Sequence, residues 1–369
     1  MGDVTRFING RAYSQDELLQ KGKYPVLRVG NFNTNDSWYY SDLELPAKQY
    51  ANSGDLLYTW ATAFGPHVWQ GGKVIYHYHI WKVEIGPDLT RDFALQILER
   101  NSEDVLHETH GSTMVHITKA DIESKDVSLP AISEQSRIGE FFQKLDALIA
   151  ANQRKCDLLK QLKQAYLQKL FPAPRETVPK LRFPGFSDAW KQRRLGDVGD
   201  MNPQASLPDV FEYVDLESVV GTSLVGHRTE SRVTSPSRAQ RLAQIGDVFF
   251  QLVRPYQRNN FLFELPFTDY VFSTGYAQIR PQCDGRFLFN QLQRDPFVAE
   301  VLNRCTGTSY PAISSSDLAE IEVRMPNNLG EQAKIGVMLT ALDHLITRHQ
   351  RRCHQMEELK RAYLQRMFV

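Results

Sequence analysis

Residues 134–171 read EQSRIGEFFQKLDALIAANQRKCDLLKQLKQAYLQKLF, and residues 331–368 read EQAKIGVMLTALDHLITRHQRRCHQMEELKRAYLQRMF. The two segments align without a gap at a constant offset of 197 residues. A fixed period of this length indicates that one structural unit occurs twice in the chain. We therefore expect the function to need two copies of something at a set separation.

The repeat extends beyond these two segments. Gly2-Asp3-Val4 recurs as Gly196-Asp197-Val198, and GDLLY from Gly54 recurs as GDVFF from Gly246. The segment Gly111–Pro130 (GSTMVHITKADIESKDVSLP) recurs as Gly307–Pro326 (GTSYPAISSSDLAEIEVRMP). The halves agree best in the 38-residue segments and worst in the middle of each globular part. This pattern is expected where a scaffold is shared and two reading surfaces differ.

Composition sets limits on the protein class. A length of 369 residues suits two domains with connectors. The chain carries 43 basic and 43 acidic side chains, so it lacks the basic excess typical of a protein that binds DNA tightly by itself. No pair among its four cysteines has metal-ligand spacing, and Cys156 and Cys353 are expected to be buried thiols. The absence of a long apolar run indicates no membrane association and a cytoplasmic location.

The repeated segments are predicted to be long helices that pair with each other, because their apolar residues step by four and three, the coiled-coil period. At about 1.5 Å per residue each would span roughly 57 Å, more than a small domain requires. An antiparallel pair is expected, with Asn152 and His349 as polar seam positions. The alternative is an ordinary amphipathic helix on its own domain. The predicted seam comprises Ile138, Phe142, Leu145, Ile149, Cys156, Leu159, Tyr166 and Leu170 in the first helix, and Ile335, Leu339, Leu342, Ile346, Cys353, Met356, Tyr363 and Met367 in the second.

The predicted fold class is α+β, with two mixed globular domains joined by the two antiparallel helices. The expected divisions are a first recognition domain at 1–132, a helix at 133–171, an extended linker at 172–195, a second domain at 196–329 and a helix at 330–369. The linker has no counterpart before Gly2, so the N-terminus is either naturally short or trimmed. Its predicted anchors are Leu181, Phe183, Phe186 and Trp190. Strands are predicted over 24–29, 211–216 and 74–85, and helices over 287–292 and 295–305.

Residues for catalysis or metal binding are not apparent. There is no glycine-rich phosphate loop, and neither Met201–Gln204 nor Asp295–Phe297 forms the motif of a DNA adenine methyltransferase. The cluster of Asp121, Glu123 and Lys125 is interpreted as a surface turn rather than a nuclease site. His77 and His79 are interpreted as one face of a strand rather than as metal ligands. No catalytic residue and no metal site are predicted.

The remaining candidates are residues for DNA binding, because arginine, amide and hydroxyl groups contact phosphates and base edges. In the second half, an alternative interpretation of the arginine-rich segment is a mobile solvated loop. In the first half, the neighbouring aromatic residues could instead belong to the core. The candidates are Arg228, Arg232, Arg238, Arg241, Arg254, Gln257 and Arg258 in the second half, and Asn31, Asn33, Thr59, Thr62, His67 and Lys73 in the first.

The whole chain resembles the specificity subunit (HsdS) of type I restriction-modification enzymes. The resemblance is carried by the order domain, long helix, domain, long helix; by PKLRFPGFSDAWKQRRLGDV at 179–198; and by GSTMVHITKADIESKDVSLP leading into EQSRIG. It implies that each globular domain reads one half of a bipartite double-stranded DNA target and that the helices set the spacer. It also implies two modification subunits carrying S-adenosylmethionine, and restriction subunits using ATP and Mg²⁺, with no cofactor on this chain.

Two other classes of function stay open at the level of sequence. One is a two-lobed scaffold that bridges protein partners without reading DNA. The other is an enzyme, such as a fused fragment of a restriction endonuclease.

Overall fold

The computed structural model describes residues 1–32, 35–61, 64–108 and 117–368, with only the backbone described at 103–108. It divides into two compact units. Unit 1 comprises Met1–Gln153 and Arg351–Val369, and unit 2 comprises Arg154–Gln350. The division falls inside the two long helices, so each unit contains a globular head and part of both helices.

The described strands of unit 1 form two four-stranded sheets. The first has the order β1-β8-β5-β6 and is antiparallel. The second has the order β3-β2-β7-β4, in which β2 and β7 are parallel. The strands are β1 (Thr5–Asn9), β2 (Tyr24–Leu27), β3 (Tyr39–Ser41), β4 (Tyr50–Ala51), β5 (Leu56–Thr59), β6 (Gly65–Val68), β7 (Val74–Tyr76) and β8 (Ile80–Ile85), and the helices are α1 (Arg91–Glu108), α2 (Lys119–Glu123) and α3 (Ile132–Lys169).

The head of unit 2 repeats this arrangement. Eight of its described strands form one sheet of order β10-β19-β16-β17 and another of order β14-β11-β18-β15, in which β11 and β18 are parallel. The other four form two antiparallel pairs, β12 with β13 and β9 with β20. The strands are β9 (Lys191–Arg194), β10 (Gly199–Met201), β11 (Val210–Val214), β12 (Val219–Val220), β13 (Ser223–Leu224), β14 (Arg228–Ser231), β15 (Ala239–Leu242), β16 (Val248–Gln251), β17 (Phe261–Leu262), β18 (Tyr270–Ser273), β19 (Tyr276–Pro281) and β20 (Glu322–Met325), and the helices are α4 (Gly285–Leu292), α5 (Asp295–Asn303), α6 (Ser315–Ala319) and α7 (Leu329–Met367).

The predicted α+β class, the internal repeat and the two long helices are confirmed, as are the helices at 287–292 and 295–305. The prediction of one strand over 74–85 is wrong. A turn at Tyr78-His79 separates β7 from β8, and the two strands belong to different sheets. Each residue of β7 is buried, whereas β8 exposes Glu84. The turn therefore lets one continuous apolar-rich segment supply the interiors of two sheets.

The long helices run antiparallel within each unit. In unit 1 the thiol of Cys353 in α7 lies 3.8 Å from the carbonyl oxygen of Ile149 in α3. Acidic residues occupy the first turn of each helix and basic residues the last, which complements the helix dipole. Apart from Tyr363 and Met367, the predicted seam residues are buried or half-buried, and Cys156 and Cys353 are confirmed as buried free thiols. Leu145, Cys156, Leu342, Ile346 and Cys353 are buried, and Ile138 and Ile149 are half-buried.

A lysine–aspartate pair links the two helices at the same position of the repeat in each unit. In unit 2 the Nζ atom of Lys163 lies 2.6 Å from Asp343. In unit 1 Nζ of Lys360 lies 2.7 Å from Asp146 and 2.6 Å from Glu99 of α1. Burial works against the charged form of Lys360, but Glu99 and Asp146 outweigh it and raise the pKa of its ammonium group. Both lysines thus satisfy a polar seam position with an acid from the partner helix.

The seam prediction is wrong for the last turn of α7. Tyr363 and Met367 are exposed, while Leu364 is fully buried and Phe368 packs against the core of the unit 1 head. The end of the helix lies against that head, where the Phe368 ring is 4.9 Å from the Phe93 ring. The buried face therefore follows the head rather than continuing the 3.5-residue seam. Tyr363 instead makes an edge contact with Phe141 at 5.1 Å.

The linker is fixed to unit 2 by an ion pair and a short sheet. Arg182 donates two hydrogen bonds to the carboxylate of Glu331, at 2.7 and 2.9 Å, and Glu331 is 1 % exposed. Trp190 is buried in the unit 2 core, and β9 pairs with β20. Phe183 packs on the core, and Phe186 stacks beneath Lys334. Leu181 is exposed, so its predicted role as an anchor is wrong.

We predict that Asp343→Asn destabilises the protein by about 2 kcal/mol, because it leaves a largely buried ammonium group without its carboxylate. The matched control is Asp146→Asn. Since Lys360 keeps Glu99, and Asp146 is more exposed than Asp343 (40 % against 20 %), its loss should stay below about 1 kcal/mol. Urea unfolding of both variants measures the difference. Equal losses would show that Glu99 does not compensate.

Candidate nucleic-acid interface

Several of the predicted DNA-binding arginines in unit 2 are neutralised by acids of the same head. Arg228 pairs with Asp215 at 2.8 Å and with Glu230 at 2.7 Å. Arg232 lies 2.7 Å from Asp209. Arg258 lies 2.7 Å from Asp295 and donates to the carbonyl oxygen of Gln293 at 3.1 Å. These guanidinium groups therefore add little net positive charge to the surface.

Three candidates lie in a different environment: Arg238, Arg241 and Arg254. Within the described part of the chain, no carboxylate lies within ion-pair distance of any of them. Arg238 is exposed beside edge strand β15, where the register shifts between Ala239 and Arg241. Burial lowers the pKa of Arg241, whose Nε atom is buried without a hydrogen-bond partner. A bulge of this kind re-aims side chains, so the segment is a plausible contact surface.

Arg254 begins a strained loop, residues 254–260, between β16 and β17. Arg254 and Arg258 both adopt the left-handed conformation, with φ values of 54° and 55°. This conformation is uncommon for residues other than glycine and persists only where the surroundings hold it. The guanidinium group of Arg254 lies 4.2 Å from the ring centroid of Tyr310. Strain of this type clusters at functional sites.

The same loop carries exposed polar and aromatic side chains. Gln257 is exposed and Tyr256 is 50 % exposed, while Tyr310, which lies outside the loop and against Arg254, is 63 % exposed. The Oε1 atom of Gln257 accepts a hydrogen bond of 2.9 Å from Nε2 of Gln251. Arginine, glutamine and tyrosine together supply cationic, amide and stacking groups at one place. This chemistry fits a nucleic-acid contact.

In unit 1 the candidates Thr59 and His67 are structural. Thr59 is 0 % exposed and donates its hydroxyl hydrogen to the carbonyl oxygen of Gly65 at 3.2 Å. Its prediction as a surface contact is wrong, because its hydroxyl group is used inside the head. His67 lies 3.2 Å from that hydroxyl group and stacks on Phe32 at 4.1 Å between ring centroids. Burial lowers the pKa of His67 to about 4, so its ring is neutral at pH 7.

The other unit 1 candidates fall into three groups. The side chain of Asn31 closes a turn by bonding the backbone of Arg28, Asn35 and Ser37, so it too is structural. Lys73 is exposed and lies over the Tyr50 ring, 4.0 Å from its centroid. Asn33 and Thr62 lie outside the described residues. Trp60 stacks on Trp81 at 5.7 Å, as the core interpretation of these aromatics expects.

Sequence reasoning missed the residues that hold the unit 2 loop. Gln251, Asn259 and Asn260 bond one another or the loop, although only Arg254, Gln257 and Arg258 were predicted in this region. A signal was present: GDVFF is followed by Gln251 where GDLLY is followed by Thr59. A polar residue that ends an apolar strand in both repeats indicates a buried hydrogen-bonding role.

The described residues hold no cluster of three or more His, Cys, Asp or Glu side chains placed to bind a metal ion. His77 and His79 lie 4.9 Å apart between ring centroids, and burial, helped by His79 and Arg28, lowers the pKa of His77 to about 4. No described helix is long and apolar enough to cross a bilayer.

Comparison with known proteins gives a consistent result. Residues 1–161 match the family model of the type I restriction modification DNA specificity domain. The type I restriction enzyme MjaVIII specificity subunit of Methanocaldococcus jannaschii is 23 % identical, over 99 % of this chain and 90 % of that protein. The EcoDI specificity subunit of Escherichia coli is 26 % identical, over 66 % of this chain and 61 % of its own. The crystal structure of the S subunit from M. genitalium shares the fold with a TM-score of 0.66 at 14 % identity, covering 100 % of this chain and 94 % of that one.

The pKa of His67 leads to a pH-dependent stability. In the unfolded chain histidine has a pKa of about 6.5, whereas the folded protein holds it at about 4. Above pH 6.5 both states are neutral and full stability is present. As the pH falls from 6.5 to 4, the unfolded state takes up a proton that the folded state does not, and stability is lost.

We predict that His67→Gln has a flatter profile over this window, differing from the parent by at least about 1 kcal/mol. Urea unfolding at pH 7 and pH 4.5 measures this. His77→Gln should flatten the profile in the same direction, because burial also lowers the pKa of His77 to about 4. Parallel profiles for the parent protein and His67→Gln would contradict the assignment.

Proposed function

Because the chain belongs to the family of type I restriction-modification DNA specificity subunits, we propose that each head reads one half of a bipartite duplex target. A specificity subunit is the non-catalytic component that gives the complex its sequence specificity. One observation carries the proposal: both heads have the same strand order in both sheets, but different side chains in corresponding loops. A shared scaffold with two different loop sets suits an asymmetric target with two unlike halves.

We further propose that the long helices set the spacer between the half-sites and bind two modification subunits. At about 1.5 Å per residue, α3 and α7 each span close to 60 Å. Exposed leucines recur at equivalent positions of the repeat: Leu148 corresponds to Leu345, and Leu162 corresponds to Leu359. Exposed apolar side chains in contiguous patches mark interaction surfaces. Two equivalent sets of such residues support two copies of one partner.

The cofactors belong to the partner subunits in this scheme. S-adenosylmethionine is expected on the modification subunits, and ATP with Mg²⁺ on the restriction subunits. The complex acts on DNA in the cytoplasm. The balanced charge of the chain and its neutralised arginines suit a reader whose partners supply much of the phosphate contact. The alternatives of a protein scaffold without DNA reading and of an enzyme have no support in the comparisons.

The first test is to co-express the chain with its modification subunits and map the methylated motif in host DNA. The expected result is two short defined sequences separated by a spacer of fixed length and free sequence. Inserting seven residues at equivalent positions of both helices keeps the seam in phase and adds about 10 Å. The spacer should then lengthen by about 3 base pairs, with both half-sites unchanged. A continuous palindrome, or no motif, would contradict the proposal.

The second test concerns charge. Arg254→Ala should reduce the slope of log K against log salt concentration for the assembled complex by about 1, because one unneutralised cation is lost from the DNA contact. The matched control is the double variant Arg232→Ala with Asp209→Ala, which removes an ion pair of zero net charge. Its slope should equal that of the parent. Fluorescence anisotropy over a salt series measures both, and an unchanged slope for Arg254→Ala would exclude a phosphate contact there.

A further inference from the structure

Gln251 directs its backbone N–H group and both ends of its side-chain amide toward the loop that follows it. It is the last residue of β16 and is 2 % exposed. Its backbone N–H group donates to Oδ1 of Asn260 at 2.8 Å. Its side-chain Oε1 accepts from the backbone N–H group of Asn259 at 3.1 Å, and its Nε2 donates to Oε1 of Gln257 at 2.9 Å. Gln251 therefore ties the middle and the end of the 254–260 loop to the strand.

These bonds fix the orientation of two amide groups. The backbone N–H group of Asn259 can only donate, so the carbonyl oxygen of the Gln251 side chain must face it. The NH₂ group of Gln251 then faces Gln257, which must answer with its own carbonyl oxygen. The NH₂ group of Gln257 is consequently directed away from Gln251. Since Gln257 is exposed, this group is available to a ligand outside the head.

The rest of the loop is held by its surroundings. The backbone N–H group of Arg254 donates to the carbonyl oxygen of Pro311 at 2.7 Å, while its guanidinium group covers Tyr310. Arg258 is held by Gln293 and Asp295 at the other end. Two left-handed residues without glycine require such support, and a buried amide network supplies it rigidly.

The equivalent position of unit 1 has the same role with a different side chain. Thr59 is the last residue of β5 and is completely buried. Its hydroxyl group donates to the carbonyl oxygen of Gly65, the first residue of β6, and contacts His67. In both heads, a buried polar residue at this position thus bonds to the chain that leads into the next strand, at the end of the loop in unit 2 and just after the loop in unit 1. The position belongs to the shared scaffold, whereas its bonding pattern differs between the two heads.

We propose that Gln251 is a positioning residue for DNA reading by unit 2. It holds the 254–260 loop in one conformation and turns the NH₂ group of Gln257 outward, toward hydrogen-bond acceptors on a base edge. Guanine offers two such acceptors in the major groove, O6 and N7. The inference rests on the proposed function, because it assumes that the head of unit 2 reads DNA.

The experiment uses the complex assembled with its modification subunits, and compares methylation at all matched and singly mismatched sites of the host genome. Gln257→Ala and Gln251→Met should each reduce discrimination about ten-fold at one base pair of one half-site. The other half-site, read by unit 1, should keep its discrimination. It serves as an internal control for assembly and activity.

Gln251→Glu separates positioning from a merely structural role. A carboxylate still accepts from the N–H group of Asn259 but no longer donates to Gln257. The Gln257 amide group should then rotate, bond the carboxylate through its NH₂ group and present its oxygen outward. The preferred base at the same position should shift to one with an amino donor, adenine or cytosine. A general loosening of the loop would relax the position without creating a new preference.

Gln291→Met is the matched control, because Gln291 is another buried amide of this head, 5 % exposed, whose Oε1 has no hydrogen-bond partner. It should leave the motif unchanged. Thermal unfolding of each complex reports on folding, and if the Gln251 variants fail to fold, the exposed variant Gln257→Ala decides.

If Gln257→Ala, or folded Gln251→Met, discriminates between bases as well as the parent protein does, the inference is wrong. The proposed function would still stand in that case, because the parent complex would still methylate a bipartite motif. A parent complex without a bipartite motif would instead show that the proposed function itself is wrong.

Discussion

The core of each head includes a phenylalanine from the end of the long helix that follows the other head in sequence. In unit 2, Phe171 at the end of α3 stacks on Phe287 of α4 at 5.3 Å. In unit 1, Phe368 at the end of α7 lies 4.9 Å from Phe93 of α1. The four residues are equivalent in pairs under the repeat. The end of each long helix thus contributes to the core around the first helix of a head, which is consistent with the antiparallel pairing observed in each unit.

These contacts between a head and a distant helix end affect when each head can fold and which residues can differ between the two halves of the chain. The contact between Phe93 and Phe368 joins distant parts of the sequence, so the core of unit 1 closes only after the whole chain is available. Residues in these contacts touch both a head and a helix and cannot change independently. Residues whose hydrogen bonds lie within their own head are free of this constraint. The halves therefore remain alike at Phe171 and Phe368 and differ at Thr59 and Gln251, where each head organises its own loop.

The sequence predicted what depends on local periodicity and on the repeat. The long helices, the two heads and the buried thiols all follow from the 197-residue offset and the 3.5-residue step. Prediction from the sequence failed where contacts between distant residues determine which side chain is buried. In the last turn of α7, Leu364 is buried rather than the predicted Tyr363, because the end of the helix packs on the head of unit 1 through Phe368. In the segment 74–85, a turn divides the apolar residues between two sheets. The candidate site shows the same limit. Arg232 and Arg254 look alike in sequence, and only the folded head brings Asp209 to one and Tyr310 to the other.

The difference between neutralised and unneutralised arginines suggests how a chain with no net charge can still distinguish DNA sequences. Phosphate contacts supply affinity regardless of sequence, so a strongly basic head would bind every site and gain little discrimination. In the head of unit 2, acids neutralise Arg228, Arg232 and Arg258, and the strained loop instead presents a fixed amide group. An amide group held by a buried partner cannot rotate to suit the wrong base, and a mismatch leaves it without a hydrogen bond. Neutral charge and a rigid loop therefore favour the same outcome: the head adds little affinity that is independent of sequence and contributes mainly the difference in free energy between right and wrong sequences.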